Sequence, residues 1–150
     1  MTLPERTPSP EQVEDWLREC LHLDPDGAQV TVSGTCMEPA LKEGSRITLR
    51  PSNGSHRLGD VVLLRTPRGL RLHRVLLRFR GAIRTKGDQG PFFDPAASEA
   101  AVIALCETDE SRLTRFLRTG LSLVRLFARP RAFAESAADD SDRAHARVLP

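Results

Sequence analysis

Only two of the 22 basic residues are lysines, Lys42 and Lys86, so lysine-based catalysis has almost no candidates in this chain. Cysteine is nearly as scarce. Cys20, Cys36 and Cys106 form an odd number with no paired spacing, which argues against a disulfide framework and for a reducing compartment such as the cytoplasm. No Cys/His pair has the spacing of zinc ligands, and no cofactor is implied. Long apolar runs are missing too. The stretch from Met1 to Pro10 is polar and proline-rich, so neither a signal peptide nor a leading anchor is expected. The longest uncharged run near the C-terminus, Thr119 to Val124, is far too short to span a bilayer. The formal charge of +2 is too small to imply nucleic-acid binding. Arginines cluster at 65–84 and 112–131, which reads as compositional bias rather than as a phosphate-binding design.

What remains is one domain's worth of chain. With 150 residues, 39% hydrophobic and 28% charged, it can bury a single modest core. Residues 1–8 read as a disordered lead. Ser9-Pro10-Glu11-Gln12 has the form of a helix start: a capping hydroxyl, Pro at the first helical position, and Gln three residues after the cap. Val13, Trp16, Leu17, Cys20 and Leu21 then share one helical face, and Asp24-Pro25-Asp26-Gly27 ends the helix. Residues 1–27 are therefore lead and helix.

From 28 to 107 the pattern changes to strands, at 29–32, 45–50, 61–65, 70–79, 82–85 and 101–106. Thr66-Pro67-Arg68-Gly69 makes a hairpin of the middle pair. Short strands at close spacing predict a mainly β fold, a small coiled, barrel-like sheet. Residues 108–133 hold a basic amphipathic helix, with Leu113, Phe116, Leu117, Leu121, Leu123, Val124 and Phe127 on one arc and Arg115, Arg118, Ser122, Arg125 and Arg129 on the other. Three roles are open to it: packing on the sheet with the Arg face in solvent, lying at a membrane surface, or binding a partner. Residues 134–150 turn polar and read as a disordered tail.

Three separate segments carry chemistry: Ser33-Gly34-Thr35-Cys36-Met37-Glu38-Pro39-Ala40-Leu41, then Leu72-His73-Arg74-Val75, then Thr85-Lys86-Gly87-Asp88 running on to Asp94. A thiol, an imidazole and a carboxylate are attacker, base and orienting group of an activated nucleophile. An unperturbed thiol is only a few per cent ionised near neutrality, and a neighbouring imidazole that takes its proton leaves a thiolate–imidazolium pair. Either Asp94 or Asp88 could accept from the second ring nitrogen. The Cys36 amide is a natural oxyanion donor, helped by the Thr35 hydroxyl or the Gly34 region, while Met37 is either core or a wall of the substrate pocket. The strand leading into Cys36 could hold an extended substrate by β-addition.

These motifs resemble, in order, the boxes of the type I signal peptidase group, which also includes self-cleaving repressors. Gly34-Thr35-Cys36-Met37-Glu38-Pro39-Ala40-Leu41 is similar to the nucleophile box, with Cys36 where the family has serine, and Gly59-Asp60-Val61-Val62 to the strand that follows. His73-Arg74-Val75 is similar to the base box in its histidine form, and Thr85-Lys86-Gly87-Asp88 to the closing box. The resemblance implies an endopeptidase acting on a leader- or signal-type peptide. Histidine-type relatives carry an acidic residue six positions beyond the last box, which favours Asp94 as orienter and leaves Asp88 either in the site or bonding backbone amides to hold its loop. A peptide or protein substrate is the expected partner, with peripheral membrane contact through residues 111–131 open. The serine-to-cysteine change keeps alive a second reading, an inactive relative that only binds peptides.

Overall fold

The computed structural model describes residues 8–109, 112–127 and 147–149. Helix α1 spans Pro10–Leu23, where the sequence places it. Ser9 Oγ accepts from the Gln12 amide at 3.3 Å and Gln12 Oε1 accepts from the Ser9 amide at 2.9 Å, a reciprocal cap that satisfies two otherwise orphaned donors. Val13, Leu17 and Leu21 are buried against the sheet. Trp16, expected on the same face, is exposed instead, and Glu14 takes its place in the buried arc. The reason is ionic: Glu14 accepts from Arg18 Nε at 2.9 Å and from Arg65 Nε at 2.6 Å. Burial raises the Glu14 carboxyl's pKa, but these two guanidiniums outweigh it and hold the group below its ordinary value.

The strands are β1 (Ala28–Ser33), β2 (Arg46–Pro51), β3 (Val61–Thr66), β4 (Gly69–Phe79), β5 (Ala82–Lys86), β6 (Ala97–Ser98), β7 (Val102–Glu107) and β8 (Arg147–Leu149). They lie in one antiparallel sheet in the order β6-β5-β4-β3-β7-β2-β1-β8, an open, coiled arrangement that does not close into a barrel. The fold is thus mainly β with a helix at either end. Each expected strand is present to within a residue or two. Residues 1–7 of the expected lead and 134–146 of the expected tail lie outside the described residues. At 147–149 the expectation of disorder is corrected, because these residues pair with β1: valine and leucine can join a ladder wherever a strand edge is open.

Strand β4 is the axis of the molecule, and Leu70 through Leu76 are buried on both faces. One face joins α1, β1 and β2 in the main core through Leu70 and Leu72; the other joins Val62, Leu64, Ile83 and Val102 through Val75. A bulge between Val75 and Leu77 breaks the β4–β5 ladder, burying Leu76 and exposing Leu77.

Helix α2 (Arg112–Phe127) docks with the face opposite to the one its apolar arc suggests. Arg115 donates to Asp60 at 2.9 Å, and the Ser122 hydroxyl accepts from Lys86 Nζ at 2.7 Å. Phe116, Leu117, Leu121 and Val124 are exposed. A solvated arginine face over a buried apolar one is therefore corrected, since buried charges at the sheet demand polar partners more strongly than this short apolar stripe demands cover. The close approach requires Gly59, whose φ is +88° and where a Cβ would lie 2.7 Å from Arg115 Cγ. Among the described residues no helix is long and apolar enough to cross a membrane.

Candidate active site

The site forms where a ladder ends. Pairing of β4 with β5 stops at Arg74↔Lys86, so Leu72 and His73 extend beyond the end of β5. The Cys36 loop fills that notch. It leaves β1 through Gly34, whose φ of +93° turns the chain sharply and whose amide donates to Glu43 Oε1 at 3.2 Å. It then coils back on itself, Glu38 N to Thr35 O at 3.0 Å and Leu41 N to Met37 O at 2.9 Å, with a cis peptide at Glu38–Pro39. The carbonyl of Cys36 accepts from the Gln89 amide at 2.9 Å, fastening the loop to the segment after β5.

Cys36 Sγ donates to the Leu72 carbonyl at 3.9 Å and lies beside the His73 ring, whose pKa it helps to raise. His73 Nδ1 bonds Asp94 Oδ2, which leaves the other ring nitrogen for the thiol. Asp94 Oδ2 also accepts from Thr85 Oγ1 at 2.6 Å, and the Asp94 amide donates to the Thr85 carbonyl at 2.8 Å. Both Cys36 and His73 are 5% exposed. Gly87 is packed on the pair: a Cβ there would lie 3.2 Å from Cys36 Cβ and 3.3 Å from His73 Nε2, so any side chain would press the two apart.

Burial pushes the His73 pKa down, but the hydrogen bonds and charges of Asp94 and Cys36 raise it more, to about 9. Asp94 is raised by burial and lowered further by His73, by the Thr85 hydroxyl and by Arg71, ending below its ordinary value. The imidazolium is the favoured form at neutral pH, flanked by the Asp94 carboxylate on one side and the Cys36 sulfur on the other.

Of the expected site residues, Cys36, His73 and Asp94 are brought together. Asp88 is not. It faces Arg74, accepting from Nε and from Nη2 at 2.8 Å each, while Arg74 Nη1 donates to the Gly59 carbonyl at 2.9 Å. Asp88 thus holds its loop, but through a guanidinium rather than through backbone amides. Met37 is fully buried and belongs to the core, not to a pocket wall; Thr35 is exposed. His56 is buried in its own loop against Ser52. Among the described residues no three His, Cys, Asp or Glu side chains converge as metal ligands.

The sequence reading passed over Thr85, Arg74 and Ser122. Thr85 and Arg74 stand inside the quoted motifs, and a hydroxyl or cation beside a motif carboxylate is the signal that could have found them. Ser122 offered none, since it lies 36 residues from Lys86 in sequence. Comparison with protein-family models, curated proteins and solved structures gives no match.

Proposed function

We propose that the chain is an endopeptidase of the signal-peptidase type that uses Cys36 as nucleophile, His73 as base and Asp94 as the orienting carboxylate. The convergence of these three side chains from segments 21 or more residues apart carries the reading. In this mechanism the thiol proton already rests on His73 as a thiolate–imidazolium pair, and the Cys36 sulfur forms a bond to the scissile carbonyl carbon as the carbonyl π electrons move to oxygen. The Cys36 amide faces the developing oxyanion. His73 then gives its proton to the leaving amine as the C–N bond breaks. Water, deprotonated by the same ring, hydrolyses the thioester and restores the thiol. Asp94 holds the ring in the required tautomer throughout. Extended peptides of leader or signal type are the substrate class.

The test is hydrolysis of a peptide library by wild type, Cys36→Ala and His73→Ala. Both variants are expected to lose cleavage by about a thousandfold or more, and equal cutting by all three would refute the assignment. The near-complete burial of Cys36 and His73 favours a second reading, a peptide-binding relative without catalysis. Under it, the wild type itself binds peptides and cuts none.

The exposed stripe of Phe116, Leu117, Leu121 and Val124 fits a lipid surface as the place where substrate is met. Residues 112–131 contain arginines and no acidic residue, which complements anionic headgroups. Co-sedimentation with phosphatidylglycerol vesicles is expected for wild type and lost in Phe116→Ser/Leu121→Ser. Equal sedimentation of both proteins, or of neither, would rule the contact out.

A further inference from the structure

Lys86, one of only two lysines in the chain, takes no part in the proposed reaction, yet it is 0% exposed. A buried ammonium is costly unless hydrogen bonds meet it, and an apolar residue at the same place in β5 would avoid that cost. Its bonds show what the charge holds. Lys86 Nζ donates to the Gly87 carbonyl at 2.9 Å and to Ser122 Oγ at 2.7 Å. One ammonium thus ties α2 to the residue that is packed on Cys36 and His73. Two residues further on, the Gln89 amide donates to the Cys36 carbonyl at 2.9 Å. A continuous run of bonds leads from Ser122 through Lys86 and the 87–89 segment to the nucleophile loop.

The docked side of α2 is patterned for this grip. Arg115, Thr119 and Ser122 stand at i, i+4 and i+7, the spacing of one helical face. Arg115 bonds Asp60, and Thr119 closes over Gly59, where a Cβ would lie 3.0 Å from Thr119 Oγ1. Gly59 in turn gives its carbonyl to Arg74, the neighbour of His73. One face of one helix therefore holds two of the segments that frame the site.

We infer that α2 braces the active site, with Lys86 and Ser122 as positioning residues that hold Gly87 against Cys36 and His73, an inference that rests on the reading of this pair as reactive. Gly87 leaves thiol and ring little room, since the position of its Cβ is already 3.2 Å from Cys36 Cβ and 3.3 Å from His73 Nε2. Removing the Ser122 hydroxyl takes a buried acceptor from the ammonium that also holds the Gly87 carbonyl. The ammonium then turns to other oxygens and Gly87 is free to shift. Proton sharing between sulfur and ring is steep in distance, so a displacement of about 1 Å in this contact is enough to change reactivity. The coupling runs through contiguous hydrogen bonds and packed atoms, a path that single substitutions can interrupt.

The measurement is the rate of Cys36 alkylation by iodoacetamide across the pH range, in the full chain with Cys20 and Cys106 replaced. Ser122→Ala is expected to lower the rate at pH 6 roughly tenfold and to move the profile toward that of an ordinary thiol. Ser122→Thr keeps the hydroxyl and should restore both. Lys86→Met is expected to act as Ser122→Ala does, and it serves as the second variant should Ser122→Ala alter the circular dichroism. A merely structural role gives a different result, a lower urea midpoint with the wild-type profile kept, as Val13→Ala in α1 should show. In a Gly87→Ala background the contact is already disturbed, so Ser122→Ala should slow alkylation little further, because effects passing through one contact do not add. Wild-type profiles in Ser122→Ala and Lys86→Met, or full additivity with Gly87→Ala, overturn the inference. Peptide cleavage separates the two ideas. Slowed alkylation in the variants leaves the brace standing even where wild type cuts no peptide. A wild type that cuts peptides, with variants as reactive as itself, removes the brace alone. A wild-type thiol of ordinary reactivity removes the pair and the brace together.

Discussion

Asp94→Asn is expected to slow alkylation of Cys36 by iodoacetamide at pH 6, by about tenfold for each pKa unit the His73 imidazolium loses. The amide keeps the size of the carboxylate and removes its charge. The lost quantity is therefore the electrostatic support of the thiolate–imidazolium pair, while the loop stays fastened by Gln89 and Thr85. His73→Ala should go further and leave a thiol indifferent to pH below neutrality. In wild type the ion-paired thiolate should persist on the alkaline side until His73 titrates near pH 9, above which the thiolate remains but without its imidazolium partner. Rates measured from pH 5 to 10, with Cys20 and Cys106 replaced, check this. A wild-type profile that follows an ordinary thiol, unchanged in either variant, would make the pair a relic.

The same shift has a signature in folding. The His73 pKa is raised from 6.5 to about 9, so its contribution to stability is fully present below 6.5 and is lost as pH rises through 9. Asp94 acts in the opposite sense: its pKa is depressed from 3.8, so its contribution is present above that value and is lost as pH falls through the lower, folded-state value. Urea midpoints should fall between pH 6.5 and 9 in wild type and lose most of that slope in His73→Ala.

Asp88→Ala is expected to be the most damaging single change to the fold, at about 3–5 kcal/mol. Arg74 is 0% exposed, and removing its carboxylate takes two short hydrogen bonds and the countercharge from a buried guanidinium. The loss should appear in the urea midpoint, whether or not Cys36 is present. Replacing both partners, Arg74→Met with Asp88→Leu, should recover a large part of it, because neither buried charge then lacks its partner. An Asp88→Ala protein as stable as wild type would show that the pair contributes nothing.

Much of this molecule was legible in its chain. The cap at Ser9 and the alternation in each strand rest on local rules, and local rules survive folding. The triad was legible because its members sit at fixed offsets within quoted motifs, Asp94 six residues past Asp88. The roles that escaped depend on distant partners. Whether Asp88 meets an imidazole or a guanidinium is decided by alternation along β4, where His73 and Arg74 point to opposite sides. A helical wheel shows which side of α2 is apolar. It does not show that Lys86 and Asp60 wait on the sheet for the polar side. Trp16 lost its place to Glu14 for the same reason, through Arg65 fifty-one residues away.

The strand order has a consequence for how the protein is made. Strands β1 and β2 lie on one side of β7, and β3 to β6 on the other, so in-sheet pairing between the two groups runs through β7 alone. Cys36 belongs to the first group and His73 to the second. On the ribosome both have emerged well before residues 102–107 arrive to join them. The nascent chain thus carries its thiol and its imidazole on two groups of strands that still lack the strand between them, and their in-sheet connection is completed only when residues 102–107 arrive.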